Sequence, residues 1–214
     1  MSSNAETFLT QAEQDALVRC VQEAEATTSG EIVPVIATMS YDYPRAGLIG
    51  SLLVAALAAV GLTLALGRED MWVFLLLFLA LFLGFSRLFD AFPALKRPFL
   101  SKREMRDEVA EAAFTAFHAH GLHNTRDKTG IILYVSVYER SVQVLADKGI
   151  NDLVNPLAWE EVVTLVTDGI RAGKPGEALC AGVRRCGEML TERFPIKPDD
   201  TDELPNLIIE SSDR

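Results

Sequence analysis

"AGLIGSLLVAALAAVGLTLALGREDMWVFLLLFLALFLGFS", residues 46–86, holds two apolar runs separated by Arg68, Glu69 and Asp70. The first run, 46–67, has 22 residues and no charge. As a helix it measures about 33 Å, enough to cross a hydrocarbon layer of ~30 Å. The second uncharged run, 71–86, has 16 residues. Its helical length is about 24 Å, so it spans only if Arg87 snorkels and Leu88 and Phe89 add the last turn. Trp72 stands where an interfacial aromatic anchor belongs. The expectation is a transmembrane helical hairpin over 46–89, with helices at about 47–67 and 71–89. A hairpin buried in a soluble core would still present a polar face, and neither run has one. A re-entrant hairpin dipping into one leaflet is the alternative that the short second run leaves open.

The flanks orient the hairpin. Its turn carries one basic and two acidic residues, whereas its outer ends carry Arg45, Arg87, Lys96, Arg97, Lys102 and Arg103. Positive flanks stay on the cytoplasmic side. The expectation is therefore an integral protein of the cytoplasmic (inner) membrane, with both termini and the soluble domain cytoplasmic. The N-terminus shows no basic region followed by an apolar core, which agrees with that placement. Inside the hairpin the polar residues are Ser51, Thr63 and Ser86. Transport needs ionisable groups or broken helices within the bilayer, so the hairpin reads as an anchor. Ala55, Ala56, Ala58, Ala59 and Gly61 allow close packing on the second helix or on another subunit, a homo-oligomer.

The remainder of the 214 residues suits one ordinary domain. Hydrophobic residues are 49% of the chain and mean hydropathy is +0.18, an excess concentrated in 46–89. The formal net charge of −10 excludes free nucleic acid as a partner, since binding it needs a cationic surface. Acidic residues crowd the first 45 positions, and basic ones follow the hairpin. That basic cluster suits the anionic surface of a lipid bilayer. The three cysteines, Cys20, Cys180 and Cys186, have no regular spacing and read as reduced, partly buried thiols.

Outside the hairpin the pattern alternates helix and strand. Thr10 with Glu13 has capping-box spacing, and apolar residues then recur at helical period over 11–27. A strand follows at 31–39, where Pro34 favours an edge position or a bulge. The first part of the soluble domain is thus 1–45. Residues 90–100, with two prolines, form an interfacial connector. The second part, 101–196, opens on a second capping-box match, Ser101 with Glu104, at the head of a helix to about His120. Strands at 130–138 and 141–147 pair as an antiparallel hairpin across Glu139-Arg140. Helices at about 156–171 and 175–194 close the domain. An acidic tail, 197–214, carries Asp199, Asp200, Asp202 and Glu203 and ends in an apolar stretch that docks back on the domain. The fold class is α/β: a small sandwich of helices around a few-stranded sheet, with the two-helix transmembrane hairpin inserted.

Three stretches carry a resemblance. "FLTQAEQDALVRCVQEAEATTSGEIVPVI" at 8–36 resembles the opening of TPM domains, and "TGIILYVSVYERSVQVLADKGI" at 129–150 resembles their central strand pair. The Phe194-Pro195 ending with "DELPNLIIE" is similar to a bacterial subgroup with an internal transmembrane hairpin. The resemblance implies a TPM-like α/β sandwich and a role in photosystem repair or membrane-complex assembly. For some members it also implies acid phosphatase activity and divalent-metal binding. Many members carry a glycine-bracketed aromatic where this chain has Asp147-Lys148-Gly149.

Few residues suggest chemistry. His118, His120 and His123 are all the imidazoles, but positions two apart on a helix point about 200° apart, so His118 and His120 do not share a face. A solvated helix end is the expectation there. Glu31 starts one strand and Asp147 ends another. If those strands are neighbours, the two carboxylates are weak candidates for a hard divalent cation, calcium or magnesium. Arg171 to Gly176 lacks the spacing of a phosphate loop and reads as a helix–helix turn. The leading expectation is a binding or scaffolding module, partnered by a membrane protein, in the assembly, maintenance or turnover of a membrane complex. The alternative is a membrane-tethered acid phosphatase, with Lys148 beside Glu31 and Asp147. No catalytic residue is assigned.

Overall fold

The computed structural model describes residues 4–67, 70–196 and 203–211. The chain divides into two compact units, Met1–Ser40 with Arg106–Arg214, and Tyr41–Met105.

The first unit is an open sheet covered by helices. Strands β1 (Glu31–Ala37), β2 (Gly130–Ser136), β3 (Ser141–Ala146) and β4 (Ile208–Glu210) lie in the order β3-β2-β1-β4. β1 is parallel to both β2 and β4, and β3 is antiparallel to β2. Successive side chains of a strand face opposite ways. One set, with Ile32, Ile36, Ile131 and Leu133, packs on α1 (Gln11–Glu25), α6 (Pro156–Arg171) and α7 (Pro175–Thr191). The other, with Val33, Val35, Ile132 and Tyr134, packs on Val109, Ala113, Ala116 and Phe117 of α4 (Lys102–Ala119). Both faces of β1 and β2 are covered, which explains their near-continuous apolar runs.

Local chemistry sets the ends of these elements. Thr10 and Glu13 exchange the two hydrogen bonds of a capping box at the head of α1. α1 stops at Glu25, because the Ser29 N–H donates to the Phe194 carbonyl at 2.9 Å and turns the chain toward the sheet. Pro34 needs no bulge. β4 pairs only with Val35–Ala37, so β1 is an edge at Pro34 and internal beyond it. β1 ends at Ala37, two residues earlier than expected, and the chain turns at Ser40. The β2–β3 turn is four residues, 137–140, rather than two; Arg140 takes the left-handed conformation at φ 54°. Asp199, Asp200 and Asp202 of the expected tail lie outside the described residues, whereas 208–210 is the strand β4.

The cysteine expectation is corrected. α1 and α7 pack side by side, and this brings Cys20 and Cys180 together as a disulfide with Cα atoms 5.6 Å apart. Sequence spacing cannot reveal a pair made by two helices that meet only in the folded chain. Cys186 is free and buried.

The second unit holds α2 (Pro44–Ala65) and α3 (Met71–Ala91), both long and apolar enough to cross a membrane, with mean hydropathy 2.4 and 2.2. α3 continues through Arg87 to Ala91, so its length is about 32 Å rather than the ~24 Å of its charge-free run. α2 turns Gly47, Gly50, Ser51, Ala55 and Ala59 inward, while Leu57 and Leu64 point outward. Gly50 leaves room for the rings of Phe89 and Phe99. The hydroxyls of Ser51 and Thr63 donate to the Leu48 and Ala59 carbonyls of their own helix, so neither is stranded in an apolar setting. Asp70 caps α3 by accepting from the Trp72 N–H at 2.8 Å; Arg68 and Glu69 lie outside the described residues. The expected connector is a 3-10 helix, Pro93–Phe99, in which buried Lys96 donates to the Asp42 carbonyl at 2.9 Å.

Candidate functional site

Two polar clusters mark the two ends of the sheet. At the end where β1 and β2 begin, Glu31 is the Cα partner of Gly130, and the Gly130 carbonyl accepts the Asp147 N–H at 2.9 Å. Glu31, Gly130 and Asp147 therefore form one row across three strands. Glu31 and Asp147 face the same side, roughly 10 Å apart at Cα, twice the strand spacing. The backbone of Leu122 lies on Gly130 between them, where a Cβ would collide with its carbonyl oxygen. This is why position 130 is glycine.

The surroundings of this row are mainly backbone. Glu31 is 7% exposed and accepts from the Glu203 N–H at 3.3 Å. Glu203 in turn accepts from the Arg126 N–H at 3.2 Å. Asp147 caps the short helix α5 (Lys148–Asn151) by accepting from the Lys148 N–H at 2.6 Å. Its other oxygen, Oδ2, is buried without a hydrogen-bond partner among the described residues. Lys128 donates to the His123 carbonyl. Among the described residues no group of three or more His, Cys, Asp or Glu side chains is placed to hold a metal ion.

At the other end, β1, β2 and β4 finish with Ala37, Ser136 and Glu210 in one row. Ligands of open α/β sheets gather outside this carboxyl end of the strands. Glu139, 7% exposed, accepts from the Ser136 hydroxyl and, with both oxygens, from the Ser40 N–H at 3.2 and 3.3 Å. The Tyr134 hydroxyl lies 3.5 Å from Ser40 Oγ. Burial pushes the Tyr134 phenol up to about 12; the charges of Glu210 and Glu139 add to this and the Ser40 hydroxyl opposes it. His120 Nε2 lies 2.8 Å from Glu210 Oε1. Tyr134, Ser136 and Glu139 are buried, whereas His120 and Glu210 are partly exposed.

Sequence reasoning missed this cluster. Glu139 reads as a turn residue, and Ser40 and Glu210 lie in segments without periodicity. The one usable signal was the polar pair Ser136 and Glu139 closing an otherwise apolar run.

The histidines separate as helical geometry requires. His120 turns to Glu210, whereas His118 Nδ1 lies 2.9 Å from the Phe114 carbonyl of its own helix. Gly121, in the left-handed conformation at φ 76°, reverses the chain and lays the His123 ring 5.0 Å from that of His118. The basic residues of 171–176 are occupied locally: Arg171 pairs with Asp168 at 3.3 Å and Lys174 with Glu177 at 2.9 Å. Gly173, at φ 81°, makes the turn between α6 and α7.

Residues 100–189 match the family model of the TPM domain. The fold is similar to the NMR structure of the BA42 protein from the psychrophilic bacterium Bizionia argentinensis, with a TM-score of 0.60 and 24% identity over 96% of this chain and 97% of that one. No curated protein matches the sequence.

Proposed function

We propose that this chain, which carries a TPM domain over residues 100–189, is a membrane-anchored binding module that serves the assembly, maintenance or turnover of a membrane complex. One observation carries the reading. The two apolar helices, Pro44–Ala65 and Met71–Ala91, enter the chain between β1 and β2, the central strands of the sheet. The domain is thus tied to its anchor by two chain segments, an arrangement suited to a partner in or against the same bilayer. The basic flanks, Arg45 and 87–103, favour a cytoplasmic domain.

The test is affinity purification of the full chain from native membranes in several detergents. A defined membrane complex should co-purify, and it should persist when residues 44–91 are exchanged for an unrelated transmembrane hairpin. Recovery of background proteins alone in every detergent would sink the reading.

A second reading, a metal-assisted phosphatase, draws on the row that sets Glu31 and Asp147 on either side of Gly130, with Asp147 Oδ2 buried and without a partner among the described residues. Phosphoester hydrolysis needs a cation or a nucleophile with a charge clamp, and calcium or magnesium held by these carboxylates would supply it. Purified full-length chain should then hydrolyse a generic phosphoester. A Glu31→Ala, Asp147→Ala double variant of undiminished activity would remove these residues from the site.

A further inference from the structure

Cys20 and Cys180 stand 160 residues apart in sequence, on the first and last helices of the soluble unit. We propose that they form a thiol–disulfide exchange site, which reacts with a low-molecular-weight disulfide and reversibly staples α1 to α7. The inference is independent of the binding function.

The two helices already meet without the bond. Leu17 and Val21 of α1 and Val183 and Leu190 of α7 belong to one buried cluster. The Cα separation of 5.6 Å lies within the range a disulfide accepts, so oxidation needs no rearrangement. Both cysteines are nearly buried, 5% and 8% exposed, but the Arg184 side chain that reaches Cys20 is 61% exposed.

The two cysteines differ in what faces them. Arg184, one turn beyond Cys180, directs Nη2 at Cys20 Sγ from 3.5 Å. A guanidinium beside a sulfur favours the thiolate, the nucleophilic form. Glu23 lies 4.0 Å from the same guanidinium and tempers its charge. Cys180 Sγ lies 3.7 Å from the Ala16 carbonyl, an acceptor for its S–H when reduced. Cys20 is therefore the attacking group and Cys180 the resolving one. The Cys20 thiolate attacks a disulfide RSSR, forming a mixed disulfide and releasing RS⁻. Cys180 gives up its proton and attacks the Cys20 sulfur, expelling a second RS⁻. Two protein thiols and RSSR become one protein disulfide and two RSH. Cys186 takes no part, because complete burial holds its thiol at about 12.

The test uses the full-length chain in detergent, incubated in glutathione buffers and quenched with a mass-tagged maleimide under denaturing conditions. Oxidised glutathione should protect two thiols and reduced glutathione should restore them. The oxidised form should melt about 5 °C or more above the reduced form, as closing a long loop requires. Cys180→Ser should trap glutathione on Cys20, whereas Cys20→Ser should trap little on Cys180. Arg184→Gln should slow oxidation several-fold without changing its end point. Cys186→Ser should behave as the parent. The proposal is overturned if oxidised glutathione never protects the pair, if reduced glutathione cannot reopen the bond, or if Cys180→Ser traps no adduct on Cys20.

Discussion

Glu31 and Asp147 occupy one row of the sheet on opposite sides of Gly130, with the Leu122 backbone lying on the glycine between them. Position 130 has no room for a side chain, because the Leu122 carbonyl oxygen lies where a Cβ would stand. Gly130→Ala drives a methyl group into the Leu122 carbonyl, and overpacking of this kind costs about 1–3 kcal/mol. A thermal melt of the purified chain should show the loss.

Glu139 ties the end of β1 to the β2–β3 turn by accepting from the Ser40 N–H and the Ser136 hydroxyl. Glu139→Ala removes the acceptor of the buried Ser136 hydroxyl, at about 1–3 kcal/mol for an unsatisfied buried group, and that of the half-buried Ser40 N–H. Glu139→Gln keeps one oxygen and should lose less. Denaturant midpoints of the two variants should fall in that order.

Tyr134 makes the fold alkali-sensitive. Its phenol is held at about 12, above the ordinary tyrosine value, chiefly by burial. Below about 10 both folded and unfolded chains keep the proton and Tyr134 contributes fully. Between there and about 12 the unfolded chain ionises first, so stability falls as pH rises. Tyr134→Phe should flatten that part of a stability profile. Absorbance titration should show one tyrosine missing from the early phenolate signal.

The capping box of α1 has the opposite pH sense. The Thr10 backbone and side-chain hydrogen bonds hold the Glu13 carboxyl below the usual carboxylate range. Its contribution is present above the ordinary carboxylate range and is lost as pH falls through the lowered value. Thr10→Ala should cost about 1 kcal/mol at neutral pH and less in acid, by chemical denaturation at both.

Within the hairpin, two glycines should respond differently. A Cβ at Gly50 meets the rings of Phe89 and Phe99, whereas Gly61 has nothing within 4 Å. Gly50→Val should destabilise the α2–α3 pair by about 1–3 kcal/mol, and Gly61→Val should be within about 0.5 kcal/mol of the parent. Limited proteolysis in detergent should reveal the difference.

How much of this was legible depended on whether the signal was local. The capping box, the apolar runs of α2 and α3 and the buried strand at 130 are written within a few turns of chain, so their physics can be read without the fold. The Cys20–Cys180 pair, the Glu139 cluster and the pairing of β4 with β1 join residues far apart in sequence, and no period encodes such meetings. The left-handed Arg140 and the extra residues of its turn were hidden for a related reason: nothing local demands them, and the register of β2 with β3 selects them. The Glu31–Asp147 row fell between these cases. Each residue was visible at a strand end, but their placement across a glycine emerged only with the strand order.

The insertion of α2 and α3 between β1 and β2 also governs the birth of the molecule. A ribosome delivers β1 first, with both its faces apolar and its partner strand still unmade. The two lipid-soluble helices follow, so they are available for insertion before β2 exists. β4, from the far end of the chain, arrives last. The sheet is therefore completed only after both apolar helices have been made, and until then β1 is an unprotected template for unwanted pairing.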